Sequence, residues 1–427
     1  MTKYSEISAS ENNTESPPLA VTLSAESPFE LQRVCFEAAE LLLSGRRSLS
    51  EISKNSLLVP AKKLRRAIVS SSAREAALLL KEPQPTARAS TLIFAFPGQG
   101  ASGPVPAREL ARVMPVFCEY LTRAEAVVSS EPAAAELSIY PLLARGRART
   151  SADEQIAVFV YGAAAAFQYM AWGAAPDMML PHSLGELTAM AVSKMACFED
   201  ILRFVCRRAA LIDAIKERGV MTAMEASYSC AMQLAARYEG LSVAAVNSGT
   251  SVVLSGKTEA MIKAERDMEM AKIAHHRLRV PNAAHSCVME PALSGIKKLA
   301  FPKLSPPFCP VYSSLDGRPL EAGDASSPRW RAAHCRCAVR FDLALCAARA
   351  QCEEGGALAV EFGVHRVLAA PGATSVPNSR WLGASSMSRY HEGKSQPYCF
   401  KRGIMETMAA LWENGFVSGT EWAKLSL

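Results

Sequence analysis

The run MMLPHSLGEL at Met178–Leu187 sets Ser183 between an apolar stretch and a glycine. A serine at a sharp strand-to-helix turn is lifted clear of its sheet, and the N-terminus of the following helix favours developing negative charge. Here the strand would end before His182, and the helix would open at Leu184, Gly185 and Glu186. The full elbow pattern is Gly-x-Ser-x-Gly; Pro181 stands in place of the first glycine, and a lone serine in such a context is otherwise an ordinary N-cap. A second run, FAFPGQG at Phe94–Gly100, reads as a strand ending in a Pro-Gly turn that presents Gln99 at the carboxyl edge of a parallel sheet, where open sheets bind ligands. If the two turns meet, the backbone N–H groups of Gln99 and Leu184 form a two-donor oxyanion hole.

Two further residues complete a reactive set. In EDILRFVCRRAALIDAIK, Ile201, Val205 and Ile212 lie seven, three and four residues from Arg208, which puts Arg208 on the apolar stripe of a helix and Arg207 out toward solvent. A guanidinium on a buried face needs an anion, either a protein carboxylate or a carboxylate carried by a substrate. His285, in VPNAAHSCVMEP, is a natural general base for a serine. The HCRC run, His334 to Cys337, lacks a second ligand pair, so no metal is expected.

The elements that would carry these residues follow an α/β rhythm. The strand TLIFAF at Thr91–Phe96 opens the body, followed by a helix near Gln155–Met170, a strand at Asp177–Leu180, a helix from Leu184 and another from Glu199 to Lys216. This alternation predicts a parallel sheet with helices on both faces. From about Gly219 to Val280 the pattern becomes strand, helix, strand, strand, helix, strand, the βαββαβ order of a ferredoxin-like insert. The 427 residues are 49% hydrophobic and 21% charged, with a net charge of +6, so a globular protein of two or three folding units is expected, with no Lys/Arg block of the nucleic-acid-binding kind. Twelve scattered cysteines read as reduced thiols of a cytoplasmic protein. Residues 1–27 are polar and predicted to be disordered. The alanine-rich stretch Val158–Ala175 reads as a buried helix rather than a membrane span.

In order along the chain, FPGQG, the Gln155–Glu186 block with its HSLGE, AAVNSGTSVVLSG, NAAHSCVMEP, SSLDGRPL, WRAAHCRCAVRF and EFGVHRVL resemble the acyltransferase domain of polyketide and fatty acid synthases, relatives of malonyl-CoA:acyl carrier protein transacylases. The resemblance implies an α/β-hydrolase-like core over 91–218 and 284–375 with a ferredoxin-like subdomain over 219–283. It implies a ketosynthase-to-acyltransferase linker over 28–90 and a post-acyltransferase linker over 376–427. By it, Ser183 looks like the nucleophile, His285 the base, Gln99 and Leu184 the oxyanion donors, and Arg208 the clamp for the free carboxylate of a malonyl-type group. His182, Ala284 and His334 would line the substrate site. His334 stands where the family often has a glutamine whose backbone carbonyl orients the catalytic histidine. The implied activity moves an acyl group from coenzyme A to the phosphopantetheine of an acyl carrier protein, with no bound cofactor, nucleic acid or membrane. Pro181, Ala284 and Val364 depart from the family pattern. Two rivals remain on sequence alone: a serine hydrolase or thioesterase of the same fold, which calls for an acidic residue between Ser183 and His285 in chain order, and a catalytically impaired relative that only docks to a synthase.

Overall fold

The computed structural model describes residues 17–83, 88–146, 150–352, 356–385 and 396–426. Its first strand, β1 (Leu19–Ala25), pairs antiparallel with β2 (Leu64–Ser70) from Leu19 opposite Ser70 to Ala25 opposite Leu64. Residues 19–25 were expected in a disordered tail; they order because Ala20, Val21 and Ala25 bury completely and the β2 ladder satisfies their backbone. The expectation for residues 1–16 lies outside the described residues. Three helices finish this N-terminal unit: α1 (Pro28–Leu43), α2 (Leu49–Leu57) and α3 (Ala73–Lys81). Ser27, Ser48 and Ser72 cap them, and Ser48 with Glu51 forms a capping box. Leu31, Cys35, Leu42, Ile68 and Leu80 form its core.

The central sheet begins with β3 (Thr91–Phe96), whose six residues are all buried, as a strand covered on both faces requires. Next come α4 (Ala107–Ala111), α5 (Pro115–Ser130), α6 (Ile139–Arg145), α7 (Ser151–Ala171), β4 (Met178–Pro181), α8 (Gly185–Val192) and α9 (Phe198–Asp213). The chain then leaves for β5 (Gly219–Glu225), α10 (Tyr228–Arg237), β6 (Leu241–Ser248), β7 (Ser251–Lys257), α11 (Thr258–Met270) and β8 (His275–Arg277). These strands stand in the order β8-β5-β7-β6, every neighbouring pair antiparallel, which is the ferredoxin-like arrangement the pattern predicted. The chain returns through α12 (Glu290–Lys298), α13 (Ala322–Ala325), α14 (Pro328–Arg336), β9 (Val339–Arg340), α15 (Phe341–Gln351), β10 (Ala357–Glu361), α16 (Ala369–Ser375), β11 (Ser379–Gly383) and α17 (Gln396–Asn414). β9 joins the insert by pairing with β6.

The central sheet runs β11-β10-β3-β4, all parallel. Leu92, Phe94 and Phe96 of β3 face a core with α5, α7, α8, α9 and α17, while Ile93 and Ala95 face one with α15. α7 is almost wholly buried, which accounts for its alanine-rich sequence, and among the described residues no helix is long and apolar enough to cross a membrane. β11 falls within residues 376–427, which sequence reading set aside as linker, yet it is an edge of the main sheet. α17 likewise packs on β2 and sends Phe400, Ile404, Met408 and Trp412 into the main core.

Arg65 of β2 joins the N-terminal unit to the C-terminal segment: its Nη1 donates to the carbonyls of Trp412 (3.2 Å) and Val417 (2.9 Å), and its guanidinium lies 5.2 Å from the Trp412 ring centroid. Arg65→Ala is expected to cost about 1.5–3 kcal/mol, the range for hydrogen bonds that involve a charged group. Limited proteolysis should cut the region 19–81 earlier in the variant than in the parent; an unaltered cleavage pattern and unchanged thermal midpoint would remove Arg65 from this role.

Candidate active site

Because β3 and β4 are parallel neighbours, their following loops emerge at the same carboxyl edge, and the 97–100 turn meets Ser183 there. A Cβ on Gly98 would stand 3.1 Å from the His182 carbonyl and 3.3 Å from Ser183 Cβ, so only glycine allows this approach without displacement. Ser183 sits at φ +50°, the left-handed region that lifts a side chain out of a strand-to-helix turn. Gly185 opens α8 against the end of β3: a Cβ there would fall 2.0 Å from the Phe96 carbonyl oxygen. Proline at 181 does not spoil this turn. Alternate residues of a parallel strand bond to one neighbour, and the ladder to β3 is continued by His182, whose amide donates to the Phe96 carbonyl at 2.8 Å. Pro181 also ends an edge strand of the four-stranded sheet, the place where proline is tolerated.

Ser183 Oγ lies 2.7 Å from His285 Nε2, and His285 Nδ1 donates to the Cys337 carbonyl at 2.7 Å. That bond fixes the tautomer: Nδ1 carries the proton and Nε2 is left to accept from the serine hydroxyl. The orienting carbonyl therefore comes from Cys337, not from His334, because the chain has left α14 by residue 337 and its carbonyl is free of the helix. Among the described residues no carboxylate bonds to His285. Burial pushes the His285 imidazole down to about 3, helped by the nearby charge of Arg208 and by His182, against the raising effect of the Cys337 bond.

Gln99 and Leu184 each keep a backbone amide with no acceptor among the described residues, as an oxyanion site needs. The Gln99 side chain turns away, its Nε2 reaching Ser151 Oγ (3.1 Å) and Glu154 Oε2 (3.3 Å). Glu154 also accepts from Gly100 N (3.0 Å) and Ser102 Oγ (3.1 Å), which ties the whole turn to the start of α7. His182 donates its Nε2 proton to Asn247 Oδ1 (3.0 Å), linking the turn to β6 of the ferredoxin-like insert, and desolvation pushes its imidazole to about 4. Ala284 is half-buried beside His285.

Arg208 is only 5% exposed, on the same buried stripe as Ile201, Val205 and Ile212. Its Nη1 donates to Gln155 Oε1 at 2.6 Å and its Nε is buried without a partner. No carboxylate pairs with it among the described residues. Arg207, by contrast, is not simply solvated: it is half-exposed and grips the buried Glu131 with two bonds of 2.9 Å.

Sequence reading missed the polar base of the site. Ser151 Oγ lies within reach of Gln99, Gln155 (3.2 Å) and Asn282 (2.7 Å). Polar residues at positions 151, 154 and 155 share one face at the first turn of an otherwise apolar helix; that spacing was the available signal. Glu186 is fully buried and accepts from Ser313 Oγ (3.0 Å), Ser314 N (2.8 Å) and the Ser314 hydroxyl, while burial pushes its carboxyl up to about 7. His334 donates from Nε2 to the Ser183 carbonyl at 2.9 Å rather than lining a substrate pocket.

Comparison with known proteins places the chain in a family. A family model described as the acyl transferase domain matches residues 93–407. Erythronolide synthase EryA3 of Saccharopolyspora erythraea is 33% identical over 294 residues, 67% of this chain and 9% of its own length. The spectinabilin polyketide synthase system protein NorB of Streptomyces orinoci is 32% identical over 262 residues, 60% of this chain and 12% of its own. The chain thus spans about a tenth of the length of these curated relatives. Among solved structures, the acyltransferase domain of SpnD in complex with 2-(pent-4-yn-1-yl)malonyl superposes with a TM-score of 0.80 at 24% identity, covering 93% of this chain and 96% of that one. FabD from Acinetobacter baumannii superposes at 0.64 with 19% identity, covering 76% and 99%. These two superpositions speak for the shared α/β fold, and the match over residues 93–407 shows that the chain belongs to the acyl transferase domain family.

Proposed function

We propose that this acyltransferase moves a carboxylate-bearing, malonyl-type group from coenzyme A to the phosphopantetheine thiol of an acyl carrier protein through an ester on Ser183. The observation that carries the choice of acyl group is Arg208: a buried guanidinium that meets the neutral Gln155 and the Cys335 thiol but, among the described residues, no carboxylate, so that an anion is wanted and a substrate carboxylate can supply it. In the first half-reaction His285 Nε2 takes the Ser183 proton as Oγ attacks the thioester carbonyl. The oxyanion rests on the Gln99 and Leu184 amides. Collapse breaks the C–S bond, and the departing coenzyme A thiolate takes the proton from His285. In the second half-reaction the carrier thiol gives its proton to His285, its sulfur attacks the ester, and the proton returns to Ser183. The lack of a carboxylate on His285 among the described residues supports this dyad over the hydrolase triad, and the formed elbow around Pro181 supports an active enzyme over a docking-only relative.

Malonyl-CoA should add one malonyl mass to the peptide containing Ser183, and Ser183→Ala should remove the label while leaving the circular dichroism spectrum unchanged. Label on a cysteine would instead reassign the nucleophile.

Removing one member of a buried charged pair costs about 2–5 kcal/mol, so Arg208→Ala should slow transfer from malonyl-CoA about thirtyfold to several thousandfold. Transfer from acetyl-CoA, which has no carboxylate to hold, should change little. Equal losses for both donors would make Arg208 a structural residue.

His285 must be neutral to accept a proton, and burial holds it neutral far below the ordinary imidazole range near 6.5. As pH falls from 7.5 to 5 in short assays, kcat/KM should therefore stay level, with its acid limb below pH 5. An inflection near 6.5 would contradict a base shielded in this way.

A further inference from the structure

Two donors reach the Ser183 carbonyl: the Glu186 amide at 2.9 Å and His334 Nε2 at 2.9 Å. A carbonyl oxygen accepts two hydrogen bonds, so this one is saturated. The Glu186 bond belongs to the turn itself, while the His334 bond arrives from α14, 151 residues away along the chain. The Ser183 carbonyl and the Leu184 N–H are the two ends of one peptide group, planar and trans, and they point in opposite directions. Whatever anchors the carbonyl also aims the amide.

The imidazole that does the anchoring is itself held. His334 is 2% exposed and stacks on Trp330 with ring centroids 4.7 Å apart and planes 24° apart. Its acceptor is a carbonyl, so Nε2 is the nitrogen that carries the proton. Burial, with Arg208 and His285 nearby, keeps the ring neutral, well below the ordinary imidazole range. Glu186 Oε2 lies 3.8 Å from the same nitrogen, beyond hydrogen-bond reach, and is engaged by the Ser314 amide and hydroxyl.

We propose that His334 is a positioning residue of the oxyanion site: its Nε2–H on the Ser183 carbonyl holds and polarises the peptide whose opposite end, the Leu184 N–H, receives the negative charge. Hydrogen bonds in sequence strengthen one another, so a donor at the carbonyl makes the amide at the other end a better donor. The role rests on the acyl-serine reading above.

The test uses the full chain and malonyl-CoA labelled with carbon-13 at the thioester carbonyl, with single-turnover acylation followed by infrared difference spectroscopy of the acyl-serine ester. His334→Phe keeps a ring against Trp330 and removes the donor; His334→Leu serves where the phenylalanine variant does not fold; His334→Gln restores an N–H. Loss of a whole oxyanion donor costs about a hundredfold to a thousandfold, so misdirecting one should slow acylation about tenfold to a hundredfold. The dissociation constant for malonyl-CoA should stay within about twofold, since the ground state makes little use of the oxyanion contact. The ester carbonyl band should move to higher frequency in the donor-lacking variants and return toward the parent value in His334→Gln. Parent-like acylation and an unmoved band in a folded donor-lacking variant, even one with a lowered thermal midpoint, would overturn the proposal and leave His334 as packing. Absence of acylation in the parent protein would instead overturn the acyl-serine reading on which it stands.

Discussion

Ser183 holds a left-handed backbone conformation that costs a non-glycine residue of order 1–3 kcal/mol, and such conformations persist only where their surroundings over-determine them. The surroundings here come from four directions. The His182 amide continues the β3 ladder, Gly185 lets α8 start against the Phe96 carbonyl, Glu186 seats the helix on Ser313 and Ser314, and His334 takes the Ser183 carbonyl. Three separate stretches of chain supply these contacts, the end of β3, the 313–314 segment and α14, so the elbow exists only once the sheet, α8, the 313–314 segment and α14 have assembled. The central sheet thereby aims a hydroxyl, and most of the geometry of the site is a consequence of that one turn.

Electrostatics explain why the buried base of the site is built from amides and hydroxyls. Arg208 brings a full charge into a core, where an unpaired ion is costly. Two carboxylates close to the site could have neutralised it, but Glu154 is committed to the 99–102 turn and Glu186 to the serines behind the elbow. Gln155 provides a dipole instead of a charge. A dipole holds the guanidinium in place without cancelling its field, which leaves that field available to an arriving anion. The same field opposes protonation of His285 and His334. Burial, reinforced by that field, keeps both rings neutral, which the proposed base requires in order to accept a proton and His334 requires in order to keep one nitrogen as the donor.

What could be read from sequence follows the range of the interaction. TLIFAF was legible as β3 to the residue, because a strand buried on both faces shows itself as an unbroken apolar run. The insert was legible because six elements alternate period within about sixty residues, and Arg208 because helical spacing placed it among Ile201, Val205 and Ile212. β1 was not legible: LAVTLSA follows a polar stretch, and it orders only through β2, whose first pairing lies some forty residues away. Arg207 with Glu131 and the Cys337 carbonyl were missed for the same reason. Each depends on a partner 52 or more residues distant or on a backbone atom, and side-chain pattern carries no record of either. Pro181, which looked like damage to the elbow, is accommodated in the turn because His182 continues the β3 ladder beyond it.

A histidine supported by a carbonyl rather than a carboxylate is a weaker base, and burial weakens it further. For amide hydrolysis that would be a handicap, since a leaving amine must be protonated as the bond breaks. The proposed thioester exchange asks for less. A thiol has an ordinary pKa near 8.5, so its thiolate departs with little assistance, and an imidazole of low basicity surrenders its proton readily once it has taken it. The two half-reactions exchange one thiol for another and are nearly symmetric, so the base gains nothing from holding the proton strongly in either direction. The load then falls on the oxyanion donors and on the seating of the acyl group. In this fold Glu154 fixes the 97–100 turn, Glu186 and His334 fix the Ser183 peptide, and Gln155 holds Arg208.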